Sequence, residues 1–364
     1  MPKARPSKPS APNAKPRRNS TKKIISGLPE KLKRLEDFQK SWPEQLSFFE
    51  LSHPEEQQYS NTIELYDFIP KYHWGKTERI SGQFLKSLER EFECRGVRYK
   101  VRVNPARIAD ADGVVRDYFP SKREELVEDA LRKLACEGQG LFLDDEAGVT
   151  FSLYQLQQEL KTMGHTYSIS QLKDALMICA QTNISLSTED GDAILISSMF
   201  ETLGLQTRED WQGQGHKTRA FVRFNSLVTQ SIRRKTYRPL NYEKSMSYKS
   251  VIARQLHKRM SHHYTQASVL NPFSIRLTTV IRDFGLTAYT QLRDNLRDVR
   301  AALDEMCEQD MLLKYKVERT TDATQRNKLI EAKFIMVPHP NFVNEIVWAN
   351  KKQTDMLKLP TPNA

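Results

Sequence analysis

Three arginines, Arg293, Arg297 and Arg300, stand four and three residues apart. On a helix that spacing gathers them into one stripe, and a guanidinium fork suits paired hydrogen bonds to a phosphate or to the edge of guanine. Thr290 and Gln291 precede the stripe with a hydroxyl and an amide that can also meet a base edge. Asp294, Asp298 and Glu305 are expected on the outer face, away from the arginines. Arg300 and Asp304 form an i,i+4 pair that a merely solvated helix would also show. Arg319, Arg326 and Lys328 lie in a polar stretch, residues 318–328, that also holds Glu318 and Asp322.

A second concentration of charge runs from residue 212 to 264. Its cations are Lys217, Arg219, Arg223, Arg233, Arg234, Lys235, Arg238, Lys244, Lys249, Arg254, Lys258 and Arg259, against the single acid Glu243. Twelve positive charges against one negative is the footprint of a polyanionic partner, because an ordinary solvated surface mixes signs. Residues 1–23 add eight lysines and arginines, five prolines and no acid, so most of the formal +11 of the 364-residue chain sits in that tail. Such a composition does not fold alone, and residues 1–27 read as a disordered basic tail.

No grouping points to catalysis. The eight histidines (53, 73, 165, 216, 257, 262, 263 and 339) form no His-x-His pair, and adjacent His262 and His263 cannot share a metal through one helix face. There is no G-x-x-x-x-G-K-[ST] loop and no zinc spacing. Cys94, Cys136, Cys179 and Cys307 are scattered and read as reduced thiols. A non-enzymatic protein without metal or cofactor is expected. No apolar run approaches the roughly 18 residues of a membrane span, and no hydrophobic core follows the N-terminal charges.

The arginine stripe must be carried by something. Residues 247–264 read as a basic amphipathic helix with Ile252, Leu256 and Met260 inward and Arg254 and Lys258 outward. After Asn271-Pro272 a short helix beginning at Phe273-Ser274 is expected, with Leu277, Val280, Ile281 and Phe284 inward and Gly285 as its left-handed cap. Thr287 can then cap a longer helix bearing Tyr289, Leu292, Leu296, Val299, Leu303 and Met306. Two apolar, β-branched runs follow, residues 311–317 and 329–337. Helix, helix–turn–helix and hairpin make a winged helix, whose long helix enters a major groove.

The same order appears earlier. A capping box at Ser121–Glu124 opens a helix with Leu126, Val127, Ala130, Leu131 and Leu134 inward. Residues 151–160 form a short helix ending at Gly164, Ser168 caps the next, and a hairpin, residues 184–187 and 193–199, turns through an acidic tip. In front of it, residues 61–74 read as a strand and residues 89–94 and 97–103 as a hairpin about Arg95-Gly96. Phe221, Val222 and Phe224 read as a core strand, and residues 225–232 as a short helix. The expected class is α+β, mainly helical: two tandem winged-helix domains, residues 59–235 and 236–342, behind the basic tail and a linker, residues 28–58, with a C-terminal tail, residues 343–364.

Within that linker stands Gln45-Leu46-Ser47-Phe48-Phe49. It resembles the short motif by which bacterial proteins dock on the replicative sliding clamp, an amide on a polar rim and apolar side chains in a pocket. Phe48 stands where leucine is usual. The alternative is an ordinary segment whose Leu46 and Phe49 pack on the body.

Taken together, the motif at Gln45–Phe49, the helices at residues 151–160 and 168–179 and the passage 303–313 resemble iteron-binding plasmid replication initiators of the TrfA type. The resemblance covers residues 43–338. It implies a cytoplasmic protein that binds direct repeats of double-stranded DNA at an origin and promotes opening of an AT-rich segment. It further implies recruitment of host initiator, replicative helicase and sliding clamp, and exchange between an inactive dimer and a DNA-binding monomer. The residues alone support sequence-specific DNA binding, so a winged-helix transcriptional regulator and an interaction scaffold stay open as alternatives.

Overall fold

The computed structural model describes residues 58–75, 84–109, 113–143, 146–191, 193–205, 219–325 and 327–358. It begins with a strand, β1 (Tyr59–Thr62), and a one-turn helix, α1 (Glu64–Phe68), where a longer strand was expected. The hairpin β2 (Leu88–Cys94) and β3 (Val97–Asn104) is present, closed by Arg95 and Gly96 at φ 50° and 77°. A second hairpin follows, β4 (Ala106–Ala109) and β5 (Val115–Tyr118). Helix α2 (Lys122–Leu134) starts at the Ser121–Glu124 capping box and ends in a wide turn with Gly138 at φ 87°.

Next come β6 (Gly140–Leu143), β7 (Glu146–Ser152), α3 (Leu153–Thr162) and α4 (Ile169–Gln181). Ser152 and Ser168 cap the two helices in reciprocal hydrogen bonds with Gln155 and Gln171. The hairpin β8 (Asn183–Thr188) and β9 (Ile194–Ser198) runs on into β10 (Phe200–Gly204). β11 (Arg219–Phe224) and the Asn225-capped α5 (Ser226–Arg233) complete this half. β12 (Arg238–Asn241), paired antiparallel with β1, and α6 (Tyr242–Ser247) lead into the second half.

The second half is α7 (Val251–His263), β13 (Phe273–Arg276), α8 (Leu277–Asp283), α9 (Leu292–Glu308), β14 (Leu312–Asp322), β15 (Lys328–Pro338) and α10 (Pro340–Lys358). Phe273–Arg276 is a strand and not the start of the short helix, because it fills the free side of β15 in a sheet of order β13-β15-β14. Gly285 does end that short helix at φ 62°. Both hairpin strands run 11 residues, longer than expected, so only residues 323–327 remain as the tip. The supposed C-terminal tail is a 19-residue helix whose Phe342, Ile346 and Ala349 are buried.

Among the described residues the fold is mixed α/β, 44% helix and 34% strand, where a mainly helical one was expected. Both halves share the order helix, strand, helix, helix, hairpin, but their sheets differ. In the first half β7 joins a sheet β10-β11-β7-β6, and the hairpin β8–β9 is extended instead by β3 and β2. Each half buries its own apolar core, one running from Ile63 to Met246 and the other from Tyr248 to Ile346. None of the helices among the described residues is long and apolar enough to cross a membrane.

Candidate nucleic-acid interface

Helix α9 turns Leu296, Val299, Ala302, Leu303 and Met306 into the second core. That leaves Arg293, Arg297 and Arg300 exposed along one flank, as their spacing requires. Across from them lies the face of the β14–β15 hairpin that carries Arg319. Between helix and hairpin runs an open groove of about 600 Å³, with Leu329 on its floor and all four arginines in its walls. The helix and hairpin also touch at the tip, where Arg293 Nη2 donates to the Asn327 carbonyl over 3.3 Å. Lys328 stands exposed at the start of β15.

Two acids modify this cationic wall. Arg297 pairs with Asp294 at 3.1 Å and Asp298 at 3.6 Å, so these carboxylates flank the stripe where an outward orientation was expected. Its guanidinium stays 71% exposed, so the pairs are weak and can be exchanged for a ligand. At the groove's far end the Tyr315 hydroxyl donates to Asp304 over 2.5 Å, and burial, with Asp304 beside it, raises the phenol above its ordinary value. The third acid, Glu305, faces elsewhere and accepts from the backbone N–H groups of Lys249 and Ser250 at 2.6 and 3.0 Å.

The turn before α9 is set by a residue the sequence did not single out. Buried Asn295 accepts from the Tyr289 N–H at 3.0 Å and donates to the Thr287 carbonyl at 2.9 Å. Helix α9 therefore begins after Gln291, with Thr287 inside the pinned turn and not at the cap. Thr290 and Gln291 are exposed at the head of the arginine stripe. An asparagine among apolar helix positions is the signal that would have found this pin.

The basic stretch 212–264 divides sharply. Arg233, Arg234 and Lys249 are exposed and Lys244 is half-buried. Arg238, Lys235, Arg254 and Lys258, expected as exposed contacts, are buried. Arg238 donates to the Ser261 carbonyl at 2.9 Å, to Asn350 at 2.6 Å and to Gln353. Arg254 donates to Glu125 through Nε and Nη2 at 3.1 and 2.8 Å, and Lys258 holds both oxygens of Asp129 at 2.9 and 2.7 Å. The anions that Arg254 and Lys258 meet are the acids of α2. Burial alone would raise the Glu125 carboxyl, but Arg254 and Lys258 outweigh it and hold it below the ordinary range. Burial likewise opposes charge on Lys258, and Asp129 and Glu125 keep its value raised.

The helix of the first half that corresponds to α9 is α4. Hairpin β4–β5 packs against its C-terminal part through Ala106, Ile108 and Ile178. Ser170, Gln171, Lys173 and Asp174 stay exposed near its start. Its hairpin tip, with Glu189 and Asp190, is acidic as the sequence indicated, and Glu189 lies 3.8 Å from Arg98. Lys217, Arg326 and the segment Gln45–Phe49 lie outside the described residues, as do residues 1–27 and the side chain of Arg219. Among the described residues no cluster of three or more His, Cys, Asp or Glu could hold a metal ion.

No model of a known protein family and no curated protein matches the sequence. Three solved structures are similar in outline. A structure of domains 2 and 3 of RctB is 10% identical with a TM-score of 0.46, covering 76% of this chain and 96% of that one. A second structure of the same RctB domains is 9% identical at 0.45, covering 79% and 99%. The Pi initiator protein in complex with iteron DNA is 12% identical at 0.40, covering 60% and 90%. All three likenesses are remote.

Proposed function

We propose that this chain is a sequence-specific DNA-binding protein built on two winged helices, and that it initiates replication at a plasmid origin. The observation that carries the DNA-binding reading is the groove of Arg293, Arg297, Arg300 and Arg319 between an exposed helix flank and a long hairpin. A helix of this kind fits a major groove of about 12 Å, where Arg293, Arg297 and Arg300 would meet guanine edges. Thr290 and Gln291 would reach bases at its head. Arg319, Lys328 and Arg326 would hold the flanking backbone, and Arg233, Arg234, Lys249, Lys244, Lys217 and Arg219 would add further phosphate contacts. In the first half the exposed residues near the start of α4 would supply the helix contacts.

The replication role comes from the resemblance to TrfA-type initiators. In that reading the chain binds direct repeats at an origin as a cytoplasmic protein, promotes opening of an AT-rich segment, and docks the sliding clamp through Gln45–Phe49. It recruits host initiator and helicase and exchanges between dimer and monomer. The test is origin function: the gene and its flanking DNA are placed on a plasmid without another origin, and maintenance is scored. Maintenance that disappears when Leu46 and Phe49 become Ala, with DNA binding intact, supports an initiator that loads the clamp. Failure of maintenance, with tight binding to one palindrome over a promoter, assigns a transcriptional regulator instead.

A further inference from the structure

The two apolar cores do not merge, and where α2 faces α7 the contact is charged. On α2, Glu125 and Asp129 are one turn apart; on α7, Arg254 and Lys258 are one turn apart. They pair in step, Glu125 with Arg254 at 2.8 Å and Asp129 with Lys258 at 2.7 Å. Gln255 donates to the remaining Glu125 oxygen at 2.7 Å, and Lys258 also approaches it at 3.6 Å. All five side chains are buried. Behind them α2 is braced on its own side, where Arg132 binds Asp67 at 2.5 Å and Lys71 lies 3.7 Å from Glu128.

Apolar faces tolerate sliding, because one methyl group replaces another. Paired buried charges do not, because each alternative register strands an ion away from water. Moving α7 one turn toward the start of α2 sets Lys258 against Glu125, leaves Arg254 beside Ser121 and puts Asp129 beside His262. Moving it one turn the other way sets Lys258 against Lys133. A single register satisfies all four ions.

That register has a consequence for DNA. Helix α2 packs on α4, and α7 packs on α9, so the two pairs join the exposed start of α4 to the arginine stripe through four helices in series. We propose that Glu125, Asp129, Arg254 and Lys258 are positioning residues that fix the distance between the two DNA segments the halves engage, and so determine which site spacing is bound. This rests on the DNA-binding reading above, and its test separates the two.

Sites selected by the full chain from a random duplex library supply the reference DNA. Binding is then measured on that duplex and on versions with two base pairs inserted or removed between the segments. The wild-type chain is expected to lose at least tenfold in affinity on either change. The one-sided reversal Glu125→Arg with Asp129→Lys is expected to reduce that discrimination below threefold, and adding Arg254→Glu with Lys258→Asp to restore it. Trypsin cleavage within residues 233–249 gives a readout that needs no DNA: faster in the reversed chain, and returned toward wild type in the four-residue swap. Milder Glu125→Gln serves where the reversal does not fold, with a partial loss of discrimination expected. A folded reversal or Glu125→Gln chain that keeps wild-type spacing preference overturns the proposal. A wild-type chain that selects no DNA overturns the function, while the cleavage comparison still decides whether the pairs hold the halves together.

Discussion

At the scale of single residues, two groups of arginine that look alike in the chain have opposite surroundings. Arg293 and Arg297 stand in solvent on α9, whereas Arg254 is fully buried against Glu125. Replacing Arg293 or Arg297 by Ala is expected to lower specific affinity by ~1–3 kcal/mol and relax the choice of base, with melting temperature unchanged. Comparing selected and scrambled duplexes checks this; an equal loss on both would remove α9 from base reading. Single residues also set the acid response. His262 is buried beside Phe68, and burial lowers its value to about 3, so the folded chain stays neutral there while an unfolded imidazole protonates near 6.5. The unfolded state then binds more protons, so stability is full above ~6.5 and falls by about 1.4 kcal/mol per pH unit down to about 3. Adjacent His263, which burial lowers to about 4, adds a decline of its own over the same range. Thermal melting from pH 7 to 4 should show both, and His262→Gln should lessen the fall without abolishing it.

At the scale of elements, Gly285 ends α8 at φ 62°, and a Cβ there would lie 2.7 Å from Arg90 Nη1 and 3.1 Å from Pro70 Cβ. Gly285→Ala is expected to cost ~1–3 kcal/mol in denaturant unfolding, since neither the backbone nor the crowded neighbours favour a side chain. A loss under ~0.5 kcal/mol would mean the turn relaxes freely. Gly285 also marks where sequence reading succeeds, because local signals carry it. The capping box at Ser121, the cap at Ser168, the Arg95-Gly96 turn and the apolar spacing of α9 were all legible, each being settled within a few residues. What failed was settled at a distance. Phe273–Arg276 is strand because β15 lies beside it, and Pro340–Lys358 is helix because Phe342 and Ile346 complete the second core. Trp348 stacks on Tyr59 at 3.9 Å, a contact between opposite ends of the described chain that no local pattern reveals.

At the scale of the whole molecule, the net charge of +11 misleads when it is read as one surface. Four of the cations in the basic stretch are inside, and two of these, Arg254 and Lys258, are neutralised by α2, so the count between residues 212 and 264 overstates what DNA can meet. Residue type was legible there but sign balance was not, because the matching acids lie some 130 positions earlier in the chain. The salt dependence of binding measures the surface that remains. Each phosphate neutralised contributes about −0.9 to the slope of log affinity against log salt. Arg319→Ala and Lys328→Ala should each reduce that slope by about one on any sequence, since both side chains are exposed on the hairpin. Arg254→Ala should leave the slope as it is and lower stability by ~3–5 kcal/mol, because it strands Glu125 without its ion partner. Titrations from 50 to 200 mM salt, paired with thermal melts of the same variants, decide between the two classes. A slope that follows Arg254 and ignores Arg319 and Lys328 would mean that the halves part before DNA binds, and that the face of α7 covered here is the one DNA meets.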